Sequence, residues 1–392
     1  MDFYKFAPLK IKSEMIDFED IRPFNDEELP GALAKLTRDH RFLSVLSYLY
    51  PNAELRNQIL HLLSKMNTVV DFQYKIILPL LHQIEKNSSQ GVSFSTMEHF
   101  HPEDNYLYIS NHRDIILDSA FLNMLMFRNG FRTTEIAIGD NLLIYDWITT
   151  LVRVNRSFVV KRNLGIREQL NESKRLSEYI RHALTTKGES VWIAQREGRT
   201  KDGNDQTMPA LLKMFNMSNK GSILEGFFEL NIVPMAISYE IEPCGILKVE
   251  ETLKKKYNPD YTKTQKDDIN NMTAGVMNPK GRIHYGFGNP VNHKLVELVK
   301  GKNTNEAIQI ITEHIDKRIY FNYKLWPNNY IAYDQLNNCA AHAGNYTETE
   351  KATFLDMMNK EVSTLAFDKD EATELYLQLY ANPVINFEKH FG

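Results

Sequence analysis

The sequence predicts an α/β fold: a mostly parallel central sheet with flanking helices, plus N-terminal and C-terminal helical regions. Three observations predict it. Between Asn105 and Gly288, short apolar runs alternate with helical patterns. The stretches between the runs are long enough for the crossovers that parallel strands require. From Leu29 to about Lys86, and again beyond about Lys300, apolar residues recur every three or four positions, the spacing of a helix with one face buried. A chain of 392 residues has room for two or three domains. We divide it into an N-terminal helical region (1–90), an α/β domain (91–300) and a C-terminal helical region (301–392).

Taken in order, Leu60, Leu63 and Met66 form one helical stripe, and Val70, Tyr74, Ile77 and Leu81 form another. The polar run Asn87-Ser88-Ser89-Gln90-Gly91 is rich in turn formers and ends that pattern. Strands are then expected at Tyr106–Ser110, Ser157–Lys161, Ser190–Gln195, Ile232–Tyr239 and Arg282–Phe287. The clearest crossover helix is Gly165–Lys187, where Ile166, Leu170, Tyr179, Ile180, Ala183 and Leu184 fit one face and Gly188 supplies the stop. Past Lys300 the helical period returns at Ala307, Ile310, Ile311 and His314, and at Leu375, Leu377 and Tyr380.

Composition narrows the function. With 43% hydrophobic and 24% charged residues the chain is an ordinary folded protein, not a disordered or fibrous one. A net charge of -4 lacks the basic excess of a nucleic-acid binder, so no nucleic-acid partner is expected and any anion site must be local. Cys244 and Cys339 are too few and too separated for a disulfide framework or a four-ligand zinc site, which suits a reducing compartment. The opening residues mix charges where a signal peptide needs an apolar block. No run approaches the length needed to cross a bilayer. The expected location is therefore cytoplasmic, with membrane contact only peripheral, on the inner face.

Three polar clusters each follow an expected strand: Ser110 to Asp118, Lys161-Arg162-Asn163, and Arg196-Glu197-Gly198-Arg199-Thr200-Lys201. In a parallel sheet their positions share one edge, the edge where open α/β folds bind ligands. His112 leaves a strand for a helix expected to begin near Asp114, with Asp118 one turn on. An imidazole beside a carboxylate is a general base, because the carboxylate fixes the tautomer and stabilises the imidazolium. Asp114 has a plainer use as a helix cap. Arg162 and Arg199 carry planar forks that match phosphate oxygens, and Gly198 lets a ligand approach the backbone. Leu151 to His182 holds eight Lys or Arg against three Glu, so the helix after Arg162 extends a positive surface or pairs its own charges. Glu197 is placed to hold an arginine. The segment His112-Arg113-Asp114 is not a kinase loop, since Ser119 stands where that loop needs Asn. There is no G-x-S-x-G, P-loop or His-Glu-x-x-His either, and His99 and His101 lack companions for a metal site.

The ordered set Asn111-His112 to Asp118, Phe158-Val159-Val160-Lys161-Arg162, Glu197-Gly198 and Val233-Pro234 resembles the glycerolipid acyltransferase family. That group contains glycerol-3-phosphate and lysophosphatidic-acid acyltransferases, and the resemblance runs from about Asn105 to Val291. Arg282 to Pro290, with its Gly286-Phe287-Gly288-Asn289-Pro290, is similar to the strand that closes the family's domain.

The resemblance implies transfer of a fatty acyl group from acyl-CoA or acyl-ACP, acting as co-substrate, to a hydroxyl of glycerol-3-phosphate or a lysophospholipid. No bound cofactor or metal is implied. His112 would be the base and a nearby aspartate its orienting partner, while Asn111, Arg162, Glu197, Gly198 and Arg199 would hold the phosphate-bearing acceptor. The family has four residues between His and Asp; here five separate His112 from Asp118. An extra helical residue turns a side chain by about 100°. Asp118 is the expected partner if the turn absorbs that residue, and Asp114 takes the role if it does not. Arg196 also stands where the family commonly has Pro. These departures leave two other readings open: a different hydroxylated lipid as acceptor, such as an amino-acid-containing lipid, or a catalytically idle phospholipid-binding protein.

Overall fold

A computed structural model describes residues 17–95 and 97–392. The opening stretch read for an export signal lies, through residue 16, outside them.

Seven strands form one sheet: β1 (Val92–Phe94), β2 (Leu107–Ser110), β3 (Glu135–Gly139), β4 (Ser157–Val160), β5 (Val191–Ala194), β6 (Ile232–Tyr239) and β7 (Ile283–Phe287). Their order is β1-β7-β6-β2-β5-β3-β4. Every neighbouring pair is parallel except β6 with β7, so β7 and β1 run against the other five. The fold is thus α/β with a mostly parallel sheet and flanking helices.

Leu107 sits opposite both Val191 and Ile232, which puts β2 at the centre, buried at every position. Its residues alternate between layers, as a period of two demands. Leu107 and Ile109 join Phe158, Ile180 and Ile311 in one apolar cluster. Tyr108 joins Phe121, Trp192 and Tyr285 in the other.

Strands β1 and β3 were not foreseen. The first is three residues long, and the second opens on Glu135, which reads as polar. Glu135 is buried there because Tyr179 Oη donates to it at 2.6 Å and Lys187 pairs with it.

The crossover helix runs Ile166–His182 and continues through one π turn, Ala183–Lys187, to Gly188 at φ 69°. The expected apolar face holds only over its second half. Tyr179, Ile180, Ala183 and Leu184 are buried, whereas Ile166 is 94% exposed and Leu170 61%. The first turns project past the end of the sheet and meet no core.

Ahead of the sheet, helices Leu29–Leu36, His40–Leu49 and Ala53–Leu63 lead into a nearly continuous one from Val69 to Ser88. They close their own cluster against Trp147, Leu151 and Val154. Trp147 lies against Phe42, and Arg41 covers the ring of Tyr145. The stripe expected at Val70, Tyr74, Ile77 and Leu81 divides: Leu81 is buried, but Val70 and Tyr74 are exposed. A π turn at Gln73–Ile77 adds a residue to that turn and rotates the buried face to Val69, Phe72 and Gln73.

After the sheet, helix Thr304–Asn322 packs on it through Ala307, Ile311, Ile315 and Ile319. Helices Pro327–Leu336, Glu348–Ser363 and Lys369–Phe391 build another cluster with Val249 and Leu253 of helix Gly245–Tyr257. Among the described residues no helix is long and apolar enough to cross a membrane.

Candidate active site

The carboxyl ends of β2 to β6 open at one edge, and the chain turns there through the three polar clusters. Contacts between the turns show that they meet. Thr200 N donates to the carbonyl of His112 at 3.2 Å. Arg162 Nη1 pairs with Glu197 Oε1 at 3.1 Å. One loop, the one after β5, therefore touches both of the others.

His112 Nδ1 lies 2.8 Å from Asp118 Oδ2, with the histidine side chain 15% exposed and the aspartate 1%. The same oxygen accepts from Arg113 N at 2.6 Å and Asp114 N at 3.0 Å, while Tyr239 Oη donates to Oδ1 at 3.0 Å. Burial, and then the Asp118 charge, hold the Tyr239 phenol well above its ordinary range, so it stays a donor. With every neighbour donating to Asp118, the proton between it and the ring belongs to Nδ1, and Nε2 is left with its lone pair. The ring meets Trp192 edge-on at 5.8 Å.

The five intervening residues are absorbed because the helix starts at Leu117, not near Asp114 as expected. Residues 111–114 form an open turn whose backbone amides wrap Asp118, so the helical rotation never applies.

Asp114 is the cap. Its Oδ1 accepts from Ile116 N at 2.9 Å and Leu117 N at 2.7 Å, which satisfies two of the free amides at the helix start. It is fully buried, and burial followed by the nearby Asp118 charge pushes its carboxyl up. Its oxygens are turned to the helix and to Gly275, and the carboxylate in contact with His112 is that of Asp118. A Cβ on that glycine would sit 2.0 Å from Asp114 Oδ2.

Asn111 also departs from expectation. It is fully buried, its amide nitrogen donates to Ile237 O at 2.9 Å and Asp205 Oδ2 at 3.2 Å, and its oxygen accepts from Ile237 N at 2.7 Å. Its side-chain amide is spent on tying the end of β2 to β6 and to Asp205, so none of it is left for an acceptor.

Arg162 packs flat on Gly139, where a Cβ would lie 2.7 Å from Nε. It is thus held between the ends of β3, β4 and β5. Glu197 and Gly198 are exposed, and Gly198 takes φ +70° with open space where a Cβ would point. Arg199 is only 6% exposed. Its Nη2 donates to Asn271 Oδ1 at 2.8 Å, its Nη1 has no hydrogen-bond partner, and no carboxylate among the described residues pairs with it. Its charge is felt by the buried Asp114 carboxyl without a direct ion pair, and a buried guanidinium with Nη1 unpartnered attracts a further anion. Next to it, burial and then the Arg199 charge hold the Lys201 ammonium down to about 7.

Sequence reasoning missed the support beneath this site. Arg113 is fully buried and pairs with Asp205 and with Glu242 at 2.9 Å, and Glu242 pairs in turn with Lys248 at 2.6 Å. Tyr285 Oη donates to the carbonyl of Asp118 at 2.8 Å. The one available signal was Glu242 standing just past the long apolar run of β6. Among the described residues no group of three or more His, Cys, Asp or Glu is gathered for a metal ion.

Residues 91–238 match the family model Acyltransferase. The chain is 24% identical over 201 residues to the glycerol-3-phosphate acyltransferase of Pseudomonas syringae pv. tomato, covering 51% of this chain and 23% of that protein. It is 26% identical over 216 residues to the glycerol-3-phosphate acyltransferase of Pseudomonas fluorescens, covering 55% and 24%. The aligned part thus spans about a quarter of the length of these relatives. Among solved structures, the 1-acyl-sn-glycerophosphate (LPA) acyltransferase PlsC from Thermotoga maritima aligns at 11% identity and a TM-score of 0.34, over 74% of this chain and 94% of that one. Through residues 91–238 of its sheet domain, the chain is thus similar to glycerolipid acyltransferases.

Proposed function

We propose that the protein is an O-acyltransferase that moves a fatty acyl group from an acyl thioester, acyl-CoA or acyl-ACP, to a hydroxyl of a glycerol phosphate such as 1-acyl-glycerol-3-phosphate or glycerol-3-phosphate. The observation that carries this reading is the His112–Asp118 pair at the sheet edge beside Arg199, a buried cation without an ion-pair partner.

His112 Nε2 takes the proton of the acceptor hydroxyl as its oxygen attacks the thioester carbonyl, and Asp118 holds the ring and offsets the charge it gains. The tetrahedral intermediate collapses, the carbon–sulfur bond breaks, and the departing thiolate recovers the proton from the imidazolium. No covalent acyl-enzyme is needed, since positioning a hydroxyl beside an activated carbonyl supplies most of the rate. Arg162, Glu197, Gly198 and Arg199 hold the phosphate-bearing end of the acceptor, the guanidinium groups by charge and Gly198 by leaving room. The acylated product is a lipid, as is a lysophospholipid acceptor, so the protein works at a membrane surface as a peripheral enzyme on the cytoplasmic face.

The test is to give the purified full chain a radiolabelled acyl thioester with glycerol-3-phosphate or lysophosphatidic acid. Wild type transfers label to the acceptor, and His112→Ala loses roughly 10²- to 10⁴-fold, the range for a positioned general base. Equal rates in the two proteins remove the mechanism.

A further inference from the structure

The loop that carries Glu197-Gly198-Arg199 does not end at the site. It continues to Thr207 and is gripped along its length by elements that lie beyond the family-matched segment. Asp202 Oδ1 folds the loop on itself by accepting from Thr200 Oγ1 at 3.1 Å and Asn204 N at 3.0 Å. The carbonyl of Asp202 then accepts from Asn382 Nδ2 at 2.6 Å, and Asn204 Oδ1 accepts from Asn386 Nδ2 at 3.3 Å. Both asparagines stand one turn apart on the C-terminal helix Lys369–Phe391. Between Asp202 and Asn204 the loop comes so close to this helix that a Cβ on Gly203, at φ +77°, would lie 2.2 Å from the carbonyl oxygen of Leu379. Farther along, Thr207 N donates to Asp316 Oδ1 at 2.8 Å.

On its other side the loop is pinned to the catalytic turn through Thr200 N on the His112 carbonyl and through Asp205 on Arg113. It is a short span held at both ends: one end fixes it to the histidine, the other to a helix nearly two hundred residues downstream in the chain. The Asp202 turn is joined through Thr200 to Arg199 and Gly198, so a shift of that turn is passed to them along a short stretch of backbone.

We infer that Asn382 is a positioning residue for the acceptor, setting through the Asp202 turn where Glu197-Gly198-Arg199 sits, and that the C-terminal helix is a working wall of the acceptor site. This rests on the acyl-transfer reading for its role, since the group being positioned is the one proposed to hold the acceptor's phosphate. On this reading the wall serves the acceptor and not the thioester, so the two substrates respond differently.

The experiment compares wild type with Asn382→Asp, which keeps the shape of the side chain but replaces the donor to Asp202 with an oxygen. Asn382 is partly exposed, so the fold does not hang on it. Losing one hydrogen bond of ordinary net strength is expected to raise the acceptor KM roughly five- to tenfold, with the thioester KM unchanged and the melting temperature lowered by no more than about 1–3 °C. An unchanged acceptor KM overturns the inference, and so does a rise in both constants together with a larger fall in melting temperature, which marks plain destabilisation. Amide hydrogen exchange at residues 199–204 reads the clamp without turnover. Faster exchange in Asn382→Asp is expected, and identical exchange overturns the clamp whether or not the protein transfers acyl groups. A wild type inert toward every thioester while exchange still accelerates refutes the acyl-transfer reading and with it the acceptor role, leaving only the clamp.

Discussion

Replacing Asp118 by Asn separates its charge from its shape. The carboxylate accepts four donors: His112 Nδ1, Arg113 N and Asp114 N on Oδ2, and Tyr239 Oη on Oδ1. An asparagine can keep its oxygen toward the three N–H groups and turn its amide to Tyr239, whose hydroxyl then accepts. The turn therefore survives, and what disappears is the negative charge facing the ring at 2.8 Å. That contact puts the centres of charge about 4 Å apart once the imidazole is protonated, and at an effective dielectric of about 20 this is worth ~4 kcal/mol. The stabilisation exists only after His112 takes the proton, so it acts on the transition state and not on substrate binding. At about 1.4 kcal/mol per factor of ten, kcat falls roughly 10³-fold. The assay is the initial rate of label transfer at saturating thioester, with circular dichroism melting to show that the variant is folded. A folded Asp118→Asn protein within tenfold of wild type refutes the assignment of Asp118 as the partner of the base.

Two further outcomes follow from the support beneath the site. Arg113→Met leaves Asp205 and Glu242 buried without their shared cation, and breaking a buried pair in this way costs about 3–5 kcal/mol. Urea unfolding checks it, and a loss under about 1 kcal/mol shows the network to be slack. Burial pushes the Asp316 carboxyl up to about 6 from an ordinary 3.8. A carboxyl raised on folding binds its proton more tightly when folded, so its contribution is most favourable below the ordinary value and is lost as pH rises through about 6. Asp316→Asn removes that loss and still accepts from Thr207. Its stability relative to wild type should grow by about 2–3 kcal/mol between about pH 4 and pH 7 in urea unfolding. A difference that is flat with pH refutes it.

What was legible in the sequence was set by periodicity and order. Strands β2, β4, β5, β6 and β7 announced themselves as apolar runs, because strands covered on both faces have no polar side to show. Strand β3 did not, since its burial depends on Glu135 finding Tyr179 and Lys187, partners far away in the chain. The stripe through Val70 and Tyr74 misled because a π turn changes the period within the helix and leaves no mark on residue spacing. Ile166 and Leu170 misled for another reason: the helix that carries them outruns the sheet. At the site, the convergence of His112, Arg162 and Glu197 on one edge was readable from strand-end position alone. The division of labour between Asp114 and Asp118 was not, because it depends on where the helix begins, and three residues decide that. Asn111, Arg113 and Tyr239 were invisible as supports, since their partners Ile237, Asp205, Glu242 and Asp118 come together only in three dimensions.

The reversal at β7 has its own consequence. Because β7 runs against β6, the chain leaves it at the edge opposite His112, and the Gly286-Phe287-Gly288-Asn289-Pro290 stretch ends there. Gly286 lies against the backbone of Asn322, where a Cβ would come within 2.0 Å of the carbonyl oxygen, and Gly288 N donates to the Pro234 carbonyl at 2.8 Å. This stretch is a hem that seals the far margin of the molecule. Variation there tunes how firmly the last helices are sewn on, while the acceptor preference proposed for the protein is left to the turns on the other rim.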